Sequence, residues 1–295
     1  MQGLSIKSGR LYLVTGGILL LYMAMMLAAG NIFPRNRVIT IDPADRQVAV
    51  NGSGIRYRQL GIGKPVVILL HGFGGSLDGW QPIQNELQHY TVYALDLIGF
   101  GGSDAPAITY DLETHRRYLI GFMDQLNIKQ AILVGGSMGG SIAAWTAAHS
   151  PERISGVVMI APSGFPGSLQ KPFPFNWFFR PGLPNKLAGL VVRNPLYRLF
   201  FPNSIAQQAL DVTSAYDQAF VDVLGKIKQP VLLAWSSGDR TALYEFRQQY
   251  QHHLPQAELI TLPKEYAHKA LRADPQGIAT MINKFIKRVM SAGQG

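Results

Sequence analysis

Three residues of the types needed for nucleophilic acyl transfer occur in this chain in the order Ser, acid, His: Ser137, Asp239 and His268. A serine hydroxyl is a weak nucleophile until a histidine takes its proton. That histidine keeps the right tautomer only when a carboxylate accepts from its other nitrogen. Ser137 lies in Gly135-Gly136-Ser137-Met138-Gly139-Gly140. In a chain with 31 Gly, Gly-x-Ser-x-Gly alone also reads as a glycine-rich turn. Its flanks carry more weight. Ala131-Ile132-Leu133-Val134 is short and apolar, as a buried strand is, and residues 141–149 are Ala-rich without Gly or Pro, as a helix is. Strand, Gly-x-Ser-x-Gly, helix is the pattern of a nucleophile elbow. Gly135 and Gly139 lack the Cβ atoms that would collide in so sharp a turn. The helix that follows aims its positive end at the site where negative charge develops.

The elements that must position these groups read as strands feeding loops on one sheet edge. The apolar run 65–70 is a central parallel strand covered on both faces, and it ends in His71-Gly72-Phe73-Gly74-Gly75-Ser76. That loop is assigned half of an oxyanion hole, Phe73 N–H acting with Met138 N–H. A phosphate loop is the competing reading, but no Gly-Lys-Ser/Thr ending is present. His71 is read as shaping the loop. Residues 90–95 form the next strand and end at Asp96, which precedes the serine and is read as a structural carboxylate bonded to loop backbone. Residues 230–235 resume the sheet and lead to Asp239. Residues 257–262 are the last strand, with His268 in the loop after it. Helices are expected over 77–88, 110–126, 241–253 and 275–289. Two alternating runs, around 38–41 and 55–60, flank Asn51-Gly52-Ser53-Gly54 and read as an antiparallel pair at the sheet edge.

Residues 164–225 break the strand–helix rhythm and are rich in Pro and aromatics. This insertion reads as a helical cap over the carboxyl edge of the sheet. Phe165, Phe173, Phe175, Trp177 and Phe178 are then candidates for an apolar acyl pocket or a surface that dips into lipid. The alternative is that they pack the cap onto the core. Residues 11–32 carry no charge and are long enough for one bilayer crossing. They read as an uncleaved single-pass anchor or as a secretory signal cut near Ala28-Ala29-Gly30; the run exceeds the usual signal core of ~7–15 residues, which argues for the anchor. Lys7 and Arg10 precede it, so the expected topology puts the catalytic domain on the extracytoplasmic side. The expected division is 1–36 anchor, 37–163 with 226–295 core, and 164–225 cap. The net charge of +9 comes from scattered Lys and Arg, which fits an anionic membrane surface better than nucleic acid. Zero Cys excludes disulfides, thiolate metal sites and a Cys nucleophile. No His or carboxylate spacing suggests a metal, and no cofactor is expected.

Together these motifs resemble the α/β-hydrolase fold family over about residues 37–289. The matching stretches are His71-Gly72-Phe73-Gly74-Gly75, Asp96 to Asp104, the elbow, Pro151-Glu152-Arg153-Ile154, Trp235-Ser236-Ser237-Gly238-Asp239, and Ala267-His268 through Asp274-Pro275. Ser236 stands where the family pattern usually has Gly. The resemblance implies a mostly parallel eight-stranded sheet flanked by helices, with the cap inserted after strand 6. The Ser-Met-Gly-Gly elbow and the apolar N-terminus look most like the monoacylglycerol-lipase and membrane-anchored bacterial lipase branch. A serine at the elbow argues against the dehalogenase and epoxide hydrolase relatives, which use Asp. The implied activity is hydrolysis of lipid-like carboxylic esters through an acyl-enzyme. The alternatives are C–C bond hydrolysis of the meta-cleavage type, whose enzymes often have Asn at the position of Gly136, and a non-catalytic lipid- or partner-binding protein.

Overall fold

The structure is a computed structural model and describes residues 42–169, 190 and 205–292. Eight strands form one sheet in the order β1-β2-β4-β3-β5-β6-β7-β8. They are β1 (Asp45–Val50), β2 (Ser53–Leu60), β3 (Val66–Leu70), β4 (Thr91–Leu95), β5 (Ala131–Gly136), β6 (Ile154–Ile160), β7 (Val231–Ser236) and β8 (Glu258–Leu262). β3 to β8 run parallel, while β1 and β2 are antiparallel to their neighbours. The family-type sheet expected from the motifs is therefore present. Its first strand is Asp45–Val50, whose polar Asp45, Arg46 and Gln47 hide the alternation. The run 38–41 lies outside the described residues. Asn51 and Gly52, both at positive φ, close the two-residue hairpin.

The inner strands are apolar throughout because both faces are covered. On one face Ile68, Leu70, Leu133, Leu233 and Trp235 join a core with helices α2 (Leu112–Gln125) and α3 (Met138–His149). On the other, Val67, Leu69, Val134, Leu232 and Ala234 pack with α1 (Gln81–Glu86) and the C-terminal helix. After β6 come α4 (Ile205–Ser214) and α5 (Gln218–Leu224), the described helical part of the 164–225 insertion. α6 (Phe246–His253) begins later than the expected 241, because Asp239 folds the intervening backbone into a turn by accepting from Thr241 N and Ala242 N. The last helix, α7 (Pro275–Ala292), buries Ile278, Ile282, Phe285 and Ile286 at helical spacing.

Among the described residues no helix is long and apolar enough to cross a membrane. The expected anchor over 11–32 lies outside them, as do Phe173, Phe175, Trp177 and Phe178.

A buried ionic cluster ties the antiparallel edge to the loop edge. Asp45 accepts from Arg56 Nε at 3.0 Å and from Arg58 Nε at 2.8 Å; Arg56 Nη1 reaches Asp96 at 3.0 Å. Burial alone would raise the Asp45 carboxyl, but hydrogen bonds from Arg56, the Asp42 backbone and Arg58, with the nearby Arg56 charge, hold it below its ordinary 3.8. A depressed carboxyl contributes stability that is complete above its unfolded pKa and is lost as pH falls through the folded one. Asp45→Asn is therefore expected to lower unfolding free energy by about 3 kcal/mol at neutral pH. The gap to wild type should narrow below about pH 4. Urea titrations across that range check it, and a gap independent of pH would contradict it.

Candidate active site

All the loops of interest leave carboxyl ends of parallel strands, so topology alone gathers them at one edge of the sheet. Ser137 follows β5 directly and precedes α3. Its backbone stands at φ 52, ψ −119, a region that side-chain-bearing residues rarely adopt. The glycines around it explain how the turn fits. A Cβ on Gly135 would lie 2.2 Å from the Gly139 carbonyl carbon, and one on Gly139 would lie 2.1 Å from Leu70 O. The turn is pinned by Ser137 N–H to Ile160 O at 2.9 Å and Gly140 N–H to Ser137 O at 2.9 Å.

His268 Nε2 lies 3.2 Å from Ser137 Oγ, and its Nδ1 lies 2.7 Å from Asp239 Oδ2. The Asp239 side chain is fully buried, and that of His268 is 26% exposed. Asp239 Oδ1 is taken by Thr241 N–H at 2.8 Å and Ala242 N–H at 3.1 Å, leaving Oδ2 for the imidazole. In this arrangement Nδ1–H donates to Asp239 and Nε2 accepts from the serine hydroxyl. Such a line can take a proton from Ser137 and hold the imidazolium that results.

Phe73 and Met138 border the same cavity as Ser137 and His268, and Met138 is the first residue of α3. His71 accepts from Leu97 N–H at its Nε2 (3.1 Å) and donates from Nδ1 to Gly72 O (2.8 Å). Both its nitrogens are thus spent on backbone. Asp96 is completely buried and accepts from Leu77 N–H and Gly102 N–H, both at 2.6 Å, and from Arg56. Phe165 is also buried, stacking edge-on with Tyr250 at 4.7 Å between ring centroids, and it does not border the cavity. Of the five aromatics expected to form the acyl pocket, the described one packs into the core.

The cavity holds about 450 Å³. Its apolar walls include Trp80, Leu169, Val212 and Leu271, none of which the sequence analysis singled out as a pocket residue. α4 and the turn after it contribute Val212, Thr213 and Tyr216 from the insertion. Among the described residues no group of three or more His, Cys, Asp or Glu is placed to hold a metal ion.

Ser236, the departure from the usual glycine, has a visible role. Its buried hydroxyl donates to Pro263 O at 2.7 Å and accepts from Gly238 N–H at 3.3 Å. It fastens the loop that carries Asp239 to the loop that carries His268. Ala267, next to His268, is held at φ 45, ψ −133, a conformation suited to the glycine that the family pattern has there.

The sequence profile described as the alpha/beta hydrolase fold matches residues 65–200. A dihydrolipoyllysine-residue acetyltransferase component of an acetoin cleaving system from Cupriavidus necator is 39% identical over 39% of this chain and 31% of its own length. A 2-hydroxy-6-oxo-2,4-heptadienoate hydrolase from Pseudomonas putida is 32% identical over 48% of this chain and 52% of its own. The chain thus spans about half or less of these two curated relatives. The crystal structure of a membrane phospholipase A, a bacterial virulence factor, superposes with a TM-score of 0.64 at 25% identity, covering 97% of this chain and 96% of that one.

Ser236→Ala removes a buried bridge between two loops and leaves Pro263 O without its 2.7 Å donor. It is expected to lower unfolding free energy by about 1–2 kcal/mol. Denaturant unfolding at neutral pH measures it, and an unchanged midpoint would show the bridge to be idle.

Proposed function

We propose that this chain, which belongs to the α/β-hydrolase family, is a serine hydrolase that cleaves carboxylic esters of lipid-like substrates, monoacylglycerols among them. The observation that carries this reading is the unbroken line of hydrogen bonds from Asp239 through His268 to a serine on a strained elbow. In the proposed mechanism Ser137 Oγ attacks the ester carbonyl as His268 Nε2 takes its proton. Asp239 holds the tautomer and stabilises the imidazolium. The amides of Phe73 and Met138 receive the oxyanion, and His268 returns the proton to the departing alcohol. Water then adds to the acyl-enzyme with His268 as base, which releases the acid and restores Ser137. The apolar walls formed by Phe73, Trp80, Met138 and Leu271 suit an acyl chain, and the likeness to a phospholipase favours a lipid ester. Residues 164–225 would act as the cap, bringing α4 over the cavity.

The 32% identity to the 2-hydroxy-6-oxo-2,4-heptadienoate hydrolase supports a second reading, C–C bond hydrolysis with the same three residues. Gly136 counts against it. A Cβ there would meet Leu271 Cδ1 at 3.2 Å, so the Asn common in those enzymes would need the Leu271 side chain to shift. In a third reading the chain binds a lipid or partner without turnover.

The anchor completes the proposal: residues 11–32 would hold the hydrolase at a membrane, with the bulk of the chain on the extracytoplasmic side. The phospholipase's membrane association supports this. Removal of residues 1–36 is expected to move the protein from the carbonate-resistant membrane fraction to the soluble one. Retention in the pellet would count against an anchor there.

Full-length protein in detergent should be labelled by a fluorophosphonate and hydrolyse acyl esters. Ser137→Ala should abolish labelling and reduce kcat by about 10⁴-fold or more. Labelling without ester turnover, together with cleavage of vinylogous diketones, would transfer the reading to C–C hydrolysis. Absence of labelling would favour the non-catalytic reading.

A further inference from the structure

The segment that continues from His268 lines the cavity: Lys269, Ala270, Leu271 and Arg272 all border it. Two of these four are cations. Among the described residues that line the cavity, no aspartate or glutamate is present. The carboxylate of Asp239 is fully buried behind His268, bonded to that imidazole and to the Thr241 and Ala242 amides, so it is not itself exposed to a ligand in the cavity. Lys269 and Arg272 are both exposed, and among the described residues neither is engaged in an ion pair. Arg56 and Arg58, by contrast, are buried and bound to Asp45, Asp78 and Asp96. Deeper in, the walls are apolar at Trp80, Met138 and Leu271. The cavity therefore pairs apolar walls with two exposed cations, one and four residues after His268.

Resting on the ester-hydrolase reading above, we infer that Lys269 and Arg272 select esters whose alcohol portion carries an anionic group, a phosphate or a carboxylate, over neutral glycerides. The recognition chemistry is direct. Guanidinium binds a phosphate or carboxylate through paired N–H donors, and ammonium adds a compact point charge beside it. With no carboxylate among the described wall residues to satisfy these cations, an anionic substrate gains interactions that a neutral one lacks. Because the two residues are exposed, the attraction is partly screened and weakens with salt.

The test uses full-length protein in neutral detergent and three esters with the same medium-length acyl chain: 1-monoacylglycerol, its 3-phosphate, and its 3-hemisuccinate. At low ionic strength, kcat/KM for the anionic esters is expected to exceed that for the neutral one by about tenfold, a gap that added salt narrows. The order of phosphate and hemisuccinate identifies which anion the two cations fit. The double variant Lys269→Ala with Arg272→Ala should close the gap by raising KM for the anionic esters while kcat is largely retained. Lys269→Arg with Arg272→Lys should preserve it. A wild-type enzyme that cleaves the neutral ester with no preference for charge would overturn this inference and leave the ester hydrolase standing. So would a double alanine variant that keeps the preference. If none of the three esters is turned over, the ester reading itself fails and the inference falls with it.

Discussion

The arrangement depends on one steric constraint: the close approach of the elbow to β3. The backbone of Gly139 lies so near Leu70 that no side-chain atom fits between them, and Gly135 is crowded in the same way against Gly139. This crowding lets α3 start directly behind β5 and turns Ser137 outward. It also sets the neighbouring β3 loop, His71 to Ser76, along the same cavity as the serine. A single Cβ at Gly139 would push β3 and the helix apart, so the position of the hydroxyl and that of the Phe73 loop are not independent.

Such a turn has a conformational cost, and the surrounding structure offsets it. Ser137, Ala161 and Ala267 are all non-glycine residues at positive φ near the cavity, each costing on the order of 1–3 kcal/mol. Beneath them lies a buried polar network. Ser141 on α3 donates to Ser163 O, Tyr250 OH reaches the same carbonyl at 2.6 Å, and Tyr216 OH lies 2.6 Å from Ser163 Oγ. Burial pushes the Tyr216 phenol up to about 12, so it remains a neutral hydroxyl in this network throughout the physiological range. The network binds the elbow helix, the end of β6, the insertion and α6 to one another, so relaxing any one strained residue would disturb several elements.

Much of this was legible in the sequence, because the signals were local. Continuous apolar runs identified the inner strands, Asn51-Gly52 identified the hairpin, and the strand–turn–helix context identified the elbow. What stayed hidden depends on contacts distant in sequence. Trp80, Leu271 and Val212 border the cavity but look like ordinary core residues, since they come from three distant stretches of the chain that only the fold brings together. The aromatic richness of the insertion suggested Phe165 as a pocket residue. Tyr250 and Phe246, some eighty residues later, supply the rings that bury it instead. The turn that delays α6 was likewise invisible, because it is imposed by the Asp239 carboxylate rather than by residues 241–245 themselves.

The same edge of the sheet holds two buried aspartates and two histidines, and the distribution of their hydrogen bonds separates their roles. Asp96 gives its oxygens to Leu77 N–H, Gly102 N–H and Arg56, so it holds loops in place and has no oxygen aimed at an imidazole. Asp239 commits one oxygen to backbone and directs the other at His268. His71 has both ring nitrogens on backbone, which fixes its ring as part of the loop. His268 has both on side chains, and one of those is the serine hydroxyl. A proton can move productively only where the acceptor's other bond strengthens as charge develops. That condition holds for an imidazole backed by a carboxylate and not for one backed by a carbonyl and an amide. Chain order set Asp96 aside in favour of Asp239, and His71 was read as shaping its glycine-rich loop. The hydrogen-bond accounting rests on the valence of each atom rather than on its place in the sequence, and it supports the proposal that Asp239 and His268 work with Ser137.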